Sequence, residues 1–240
     1  LVSQDECIVN MPMVNKKNGK FVEQGELVSI SKEKYGIVRK FEIKITTESS
    51  HKRSTIKAVI PHIKHEIPIA ILFRALGLDN DRDIASHILM DIDVKEHSKI
   101  LCLMNDSFDE AYSCLKKKKA LLYSQLKEIY DALKTPEITE GVLPEDVVDI
   151  TPERIAEIEA EFEEQVIALN KRTSKEEAYD YLIDYITLYY KSSDSLVIAK
   201  KKYLTNVFKK EFLPNIGVSG SEQNIREKIM QTAFFANKVL

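Results

Sequence analysis

The spacing of apolar residues changes at Pro68, and this change limits the folds open to the chain. Before it, Phe41–Thr47 alternates apolar and polar residues, which is the pattern of a half-buried strand. The segment 55–60 predicts a second strand, and Asn18-Gly19 is typical of a tight turn. After Pro68, apolar residues recur mainly at helical spacing. The sequence therefore predicts an α+β fold, with N-terminal antiparallel strands followed by a mainly helical C-terminal part.

The segment from Pro68 to Gly77 gives the sharpest local prediction. Proline suits the first turn of a helix because its missing N–H would be unpaired there, and glycine suits the left-handed residue just past the end. The residues between them are apolar apart from Arg74. We therefore predict a short buried helix in which Phe73 belongs to the core and Arg74 is paired with an acid or with carbonyls.

Further helices are predicted from caps, apolar spacing and helix breakers. Their ranges are 82–90, the segment after Lys119 up to Lys134, 152–170, 175–190, 196–212 and 221–240. In the helix 152–170, an apolar stripe lies opposite an acidic face, so the stripe either packs within its own domain or receives a partner helix. The stripe consists of Ile155, Ile158, Phe162 and Val166.

Charge is distributed unevenly along the 240 residues, although the net charge is only −3. Residues 1–66 hold twelve Lys or Arg and eight Asp or Glu, whereas residues 135–165 hold eleven acids and one Arg. Residues 191–210 hold six Lys and one Asp. This segregation indicates surfaces with different partners, or else ordinary solvated faces.

Several classes of protein are disfavoured by the sequence. No apolar stretch reaches eighteen residues and no secretory signal is visible. The three cysteines lack the close spacing of a disulfide framework or a zinc site, so a reducing compartment fits best. The chain begins with Leu1 rather than Met, so we expect a fragment or a processed chain.

Catalytic and metal-binding motifs are also missing from the sequence. There is no Gly-rich phosphate loop and no nucleophile elbow. His62 and His65 are expected to be solvated rather than metal ligands. A calcium loop starting at Asp79 fails at its sixth and twelfth positions, so Asp81 or Asp83 is expected to cap the next helix. We therefore predict no catalytic, cofactor-binding or metal-binding residue.

Clusters of basic residues are the remaining candidates for a site. The helix 196–212 carries Lys200-Lys201-Lys202 and Lys209-Lys210, which form either a stripe facing phosphate or a solvated face. We select candidate contacts to a nucleic-acid backbone from local basic density alone. They are Lys52, Arg53, Lys57, Lys200 and Lys202.

Four blocks of sequence resemble the lobe, domain 2 of the second-largest (beta-like) subunit of multisubunit DNA-dependent RNA polymerases. Their order and rough spacing match that domain, and the first six residues also look like its beginning. The blocks are Arg53–Pro61, Ile67–Gly77, Ala178–Ile183, and Lys209–Ile216 followed by 228–240.

The resemblance covers residues 1–113 and 173–240, so residues 1–240 are predicted to be one lobe domain. The segment 116–170 departs from the pattern, since cellular relatives have a shorter connection there. We interpret it as a lineage-specific, largely helical, acidic insertion. Such an insertion points to a divergent lineage, for which a large DNA virus is a candidate source.

The resemblance implies a non-catalytic role in transcription. In this family the lobe is inserted in the protrusion and forms one wall of the DNA cleft, while the catalytic aspartates belong to the largest subunit. The parent complex would be a nucleotidyltransferase, whereas this segment would carry no catalytic residue and no cofactor.

The expected partners follow from this placement. They are the protrusion, the other polymerase subunits, transcription factors and, weakly, the phosphates of downstream DNA, with no membrane contact. The expected location is intracellular, in the nucleus, cytoplasm or virion. The alternative is a free-standing α+β protein-interaction module that acts through the acidic helix 152–170.

Overall fold

A computed structural model describes residues 8–10, 21–30, 37–48, 53–90, 94–134, 152–187, 195–216 and 222–240. The chain divides into two compact units. The first unit comprises Leu1–Cys114 and Ser174–Leu240, and the second comprises Leu115–Thr173. None of the described helices is long and apolar enough to cross a membrane.

The first unit contains an antiparallel sheet whose described strands neighbour one another in chain order: β1 Ile8–Asn10, β2 Phe21–Ile30, β3 Val38–Glu48, β4 Arg53–Val59 and β5 Ile67–Pro68. Phe41, Ile43 and Ile45 are buried on one face of β3, as the alternating pattern predicts. The predicted strands and the α+β class are confirmed, while the predicted turn at Asn18-Gly19 lies outside the described residues.

Helix α1 spans Ile69–Leu76 and is the buried helix that the sequence predicts. Gly77 ends it in the left-handed conformation with φ 111°, which costs glycine little because it has no Cβ. Phe73 is fully buried, and the Arg74 guanidinium donates to the Asp81 carboxylate at 2.6 Å. Both predictions for this helix, a core Phe73 and a paired Arg74, are therefore confirmed.

Helix α2 spans Asp81–Ile88 and follows α1 after a short polar connection. Its N-cap residue is Asn80, whose carbonyl accepts from the N–H groups of Asp83 and Ile84. The prediction that Asp81 or Asp83 caps this helix is wrong, because both residues lie inside the first turn. There they complement the positive end of the helix dipole.

Helix α3 spans Val94–Lys134, so it ends where predicted but begins far upstream of the predicted start, which lay after Lys119. Its early turns carry buried residues at helical spacing, including Ile100 and Met104. Ser107 on α3 accepts a hydrogen bond from the Ile56 N–H of β4 at 2.8 Å and donates to the Leu103 carbonyl at 2.7 Å. The helix therefore satisfies a backbone donor of the sheet that no strand pairs.

The C-terminal helices of the first unit differ from their predicted ranges in two places. The predicted helix 175–190 ends at Leu182, because Ile186 pairs with Ile63 in a β-bridge and Thr187 donates to the His62 carbonyl. The predicted helix 196–212 changes to a π-helical turn at Val207. The elements are α5 Ser174–Leu182, α6 Leu196–Asn206, the π-helical turn Val207–Glu211 and α7 Glu222–Val239.

Helix α7 packs directly on the sheet at Gly25 of β2. A Cβ at Gly25 would lie 2.4 Å from Cγ2 of Val239 and 3.0 Å from Cζ of Phe235, so only a hydrogen fits there. The ring of Phe41 on β3 meets Phe235 and Phe212, with ring centroids 5.4 and 5.1 Å apart. This aromatic group joins the sheet, α7 and the π-helical turn in one core.

The second unit pairs the residues of α3 after Cys114 with α4, which spans Pro152–Asn170 as predicted. Phe162 of α4 stacks on Tyr130 of α3 with ring centroids 4.5 Å apart. Ile158 and Leu169 are buried. The apolar stripe of α4 therefore packs within its own unit.

Candidate nucleic-acid interface

The first group of candidate cations lies on β4. Arg53 and Lys57 share a face of this strand because side chains alternate along it. Arg53 is exposed, whereas Lys57 is partly covered. Lys52 lies outside the described residues. The structure therefore places Arg53 where it can reach a ligand in solvent.

Lys57 already has an ionic partner. Its Nζ lies 3.0 Å from Oε1 of Glu110 on α3, and both side chains are largely covered. Lys44 stands directly opposite Lys57 on β3 and is held by Glu42 and Glu66 at 3.2 and 3.1 Å. Burial alone would lower the pKa of Lys44, but these two carboxylates outweigh it and the pKa is raised. The positive charges of Lys44 and Lys57 are thus balanced by three carboxylates. Lys57 therefore has an ionic partner within the fold even when no phosphate is bound.

The second group of candidates lies on α6. Lys200 is partly covered and Lys202 is exposed. Lys201 between them is bound to the nearly buried carboxylate of Asp180 on α5 at 2.7 Å. This ion pair fixes the rotation of α6 against α5, because one cation of the triplet must face Asp180. Lys200 and Lys202 consequently lie on either side of Lys201 around the helix, and the three lysines do not form one stripe along it.

A polar cluster joins α6 and the π-helical turn to the sheet. The Tyr203 hydroxyl lies 3.1 Å from Nδ1 of His62, and Nε2 of His62 lies 3.9 Å from Oε2 of Glu211. Glu211 also accepts from Arg39 of β3. Burial raises the pKa of Tyr203, the charge of Glu211 raises it further, and Arg39 acts in the opposite direction. The cluster positions the basic helix α6 relative to the sheet.

The two histidines, both expected to be solvated, differ from each other in exposure. His62 has a positive φ of 65° and a partly covered side chain in this cluster. His65 is exposed, and its ring lies edge-on to Tyr185 at 5.3 Å. The expectation is therefore wrong for His62. Within the described residues, no three His, Cys, Asp or Glu side chains are grouped to hold a metal ion.

The ammonium group of Lys228 on α7 uses all three of its N–H donors within the fold. Lys228 is only 2% exposed, and its Nζ donates to the carbonyls of Phe208, Lys209 and Phe212 at 2.8, 3.0 and 2.6 Å. Burial lowers the pKa of Lys228 to about 8. The ammonium group therefore caps the end of the π-helical turn, where carbonyl oxygens lack helical partners.

The sequence model described as RNA polymerase Rpb2, domain 2 matches residues 10–135 of this chain. The match takes in more than half of the chain, including β2 to β5, α1, α2 and α3. The chain therefore belongs to this family of polymerase second-subunit domains, and the predicted resemblance is confirmed.

Three relatives give the same result. The chain is 30% identical to DNA-directed RNA polymerase II subunit RPB2 of Schizosaccharomyces pombe over 126 residues, which is 51% of this chain and 10% of that protein. It is 36% identical to subunit RPB2 of Meyerozyma guilliermondii over 95 residues, 38% of this chain and 8% of that protein. It is 30% identical to DNA-directed RNA polymerase II subunit 2 of Arabidopsis thaliana over 129 residues, 51% of this chain and 11% of that protein. The chain thus spans about a tenth of the length of these relatives.

The candidate cations divide unevenly between the matched and unmatched regions. Lys52, Arg53 and Lys57 fall within residues 10–135, whereas Lys200 and Lys202 lie beyond them. Sequence reasoning missed Glu110 and Asp180, the acids that form ion pairs with Lys57 and Lys201. No local signal marks such pairs, since their members are far apart in the chain and meet only in the fold. The assignment of these cations to a nucleic-acid backbone stays a prediction.

Proposed function

We propose that this chain is the lobe of a DNA-directed RNA polymerase second-largest subunit and forms one wall of the DNA cleft during transcription. The observation that supports the proposal most directly is the family match over residues 10–135. The role is non-catalytic, and the partners are the rest of the subunit and the other polymerase subunits. On this proposal the chain works where its polymerase works, in the nucleus, the cytoplasm or the virion. A viral source and a lineage-specific role for residues 116–170 remain part of the same proposal.

Contacts to DNA in this role run from exposed cations to phosphate and do not read bases. Arg53 and Lys202 are exposed and Lys200 is partly covered, whereas the Lys57 side chain is largely covered and lies against Glu110, so Lys57 is the least accessible of these four candidates. The net charge of −3 opposes binding at long range. We therefore expect the chain alone to bind duplex DNA with a Kd of about 10⁻⁴ M or weaker at physiological salt.

A salt titration of duplex binding, followed by fluorescence anisotropy, tests this proposal. The double variant Arg53→Glu with Lys202→Glu should weaken binding at low salt and flatten the dependence on salt, because two phosphate contacts are lost. The matched control is Lys99→Glu with Lys127→Glu, which makes the same change of charge at two exposed positions on α3.

Two results would count against the proposal. Sub-micromolar or sequence-specific binding by the intact chain would indicate an independent DNA-binding protein rather than a passive wall. An equal effect of the control pair would show that net charge alone, and not Arg53 and Lys202, governs binding.

The alternative, a free-standing interaction module acting through α4, receives less support from the fold. Its apolar stripe is engaged by α3, since Phe162 stacks on Tyr130 and Tyr130 also donates to Glu159. What α4 offers to solvent is chiefly its acidic face. A partner on that face would have to be basic, and its binding would fall steeply with salt.

A further inference from the structure

A small pocket lies in the first unit where four elements meet. Its lining comes from the end of α1, the start of α5, the junction of α6 with the π-helical turn, and the start of α7. Its volume is about 70 Å³. This is far below the several hundred Å³ of pockets that hold nucleotides or similar ligands, and it suits one small aliphatic side chain.

The floor of the pocket is apolar. Ala75 and Leu76 of α1 meet Phe208 of the π-helical turn and Ile225 of α7 there. The first three of these side chains are buried and belong to the core, so the floor is rigid. A phosphate group or a water-soluble anion alone would leave this surface without a matching partner.

The rim of the pocket is basic. Lys175 of α5 and Lys209 of the π-helical turn line it, and both are exposed. Neither ammonium group has an ion-pair partner among the residues that the structure describes. Lys228 also lines the pocket, but its three hydrogen bonds to carbonyls leave it no donor for a ligand. Among the described lining residues there is no Asp or Glu to balance the two free lysines.

We propose that this pocket binds an acidic peptide segment of a protein partner. One aliphatic side chain of the segment enters the apolar floor, and the carboxylates on either side of it pair with Lys175 and Lys209. The apolar floor provides affinity by burying a side chain, while the two lysines select acidic flanks and speed association. Neither the floor nor the rim alone distinguishes such a segment from other ligands, but the combination does.

Fluorescence anisotropy with a labelled probe peptide tests this proposal on the 240-residue chain. The probe is Gly-Asp-Glu-Asp-Leu-Asp-Glu-Asp-Gly, in which Leu is the aliphatic side chain. We expect a Kd on the order of 100 µM at low salt, because one buried side chain and two rim charges must also offset the freedom lost on association. Replacing the central Leu by Ser, and separately replacing all acids by their amides, should each weaken binding roughly tenfold.

The protein variants separate this pocket from general charge effects. Lys175→Glu with Lys209→Glu should weaken probe binding by roughly tenfold or more, because two attractions become repulsions. Both positions are exposed, so the fold should tolerate the changes. The matched control, Lys99→Glu with Lys127→Glu, should leave binding within about twofold, since only the long-range charge changes.

Three results would overturn the proposal. One is no probe binding at millimolar concentration. Another is binding that ignores the Leu-to-Ser change, which would leave the apolar floor without a role. The third is tighter binding of a ten-residue oligothymidine through the same two lysines, which would make the rim a nucleic-acid contact.

Discussion

Replacing Lys228 with Met tests how much a single buried ammonium group contributes to this fold. Nζ of Lys228 donates to three carbonyls at the end of the π-helical turn, those of Phe208, Lys209 and Phe212. Methionine fills similar space with an unbranched apolar chain, so it removes the donors with little change in packing. The three carbonyl oxygens would then be left in a site that water reaches poorly.

The expected loss of stability at pH 7 follows from these contacts. Each buried acceptor that loses its partner costs about 1 kcal/mol at the low end of the usual range, so the sum is roughly 3 kcal/mol. The low end applies because the variant also removes the cost of burying a charge.

The pH dependence of the unfolding free energy reports the cost of burying the charge of Lys228, which opposes the gain from its hydrogen bonds. The pKa of Lys228 is lowered from 10.5 to about 8 in the folded protein. Between these values the unfolded chain binds more protons than the folded chain, so stability from this group rises with pH. The pKa shift corresponds to a rise of roughly 3 kcal/mol. This is an upper bound, because the hydrogen bonds to the three carbonyls favour the charged form of Lys228 and so oppose the shift. The Met variant lacks this rise, so its deficit relative to the native protein should grow from pH 7 to pH 10.

Urea denaturation at pH 7 and at pH 10 measures both effects. Lys99→Met is the matched control at an exposed position, and it should change the unfolding free energy by less than about 0.5 kcal/mol. Tyr181, whose pKa is raised by burial, affects the native protein and both variants alike, so it cancels in the comparison. A Lys228→Met loss below about 1 kcal/mol at pH 7, or a deficit that shrinks at pH 10, would refute this account of the buried lysine.

Three further changes test the core by chemical denaturation. Phe73→Ala should cost roughly 3–5 kcal/mol, because the side chain is fully buried; a loss below about 1 kcal/mol would contradict its place in the core. Gly25→Ala should cost about 1–3 kcal/mol, since the new methyl group would lie 2.4 Å from Val239; Gly25→Ala with Val239→Ala should recover part of this loss. Ser107→Ala should cost about 1–3 kcal/mol by leaving the Ile56 N–H unpaired, and unchanged stability would show that another acceptor replaces Ser107.

Local sequence signals predicted those elements whose ends and faces are decided locally. Pro68 and Gly77 mark both ends of α1, and the alternation at Phe41, Ile43 and Ile45 marks the buried face of β3. These signals work because a cap or a strand face depends on a few neighbouring residues. The charge of Arg74 within an apolar run likewise required a partner nearby, and Asp81 is only seven residues away.

The errors lie where distant residues decide the conformation. Nothing near Leu182 ends helix α5; the following residues leave the helix because Ile186 and Thr187 pair with the segment around His62. Nothing near Val207 requires a π-helical turn either. The carbonyls that the turn exposes are satisfied by Lys228, whose position on α7 a pattern of local periodicity does not reveal.

Basic density in the sequence overstates the surface that is open to DNA. Lys44 and Lys57 face each other on the sheet and are balanced by carboxylates, Lys201 is bound to Asp180, and Lys228 is bound to carbonyls. These four cations serve the fold, because each one neutralises or caps a group that burial would otherwise leave unsatisfied. Among the described candidates for contact with DNA, Arg53 is exposed on β4 and Lys202 on α6, so each of these two surfaces carries few of them. Such a distribution favours weak, salt-dependent contact with phosphate over the reading of bases, which is the behaviour that the proposed function expects.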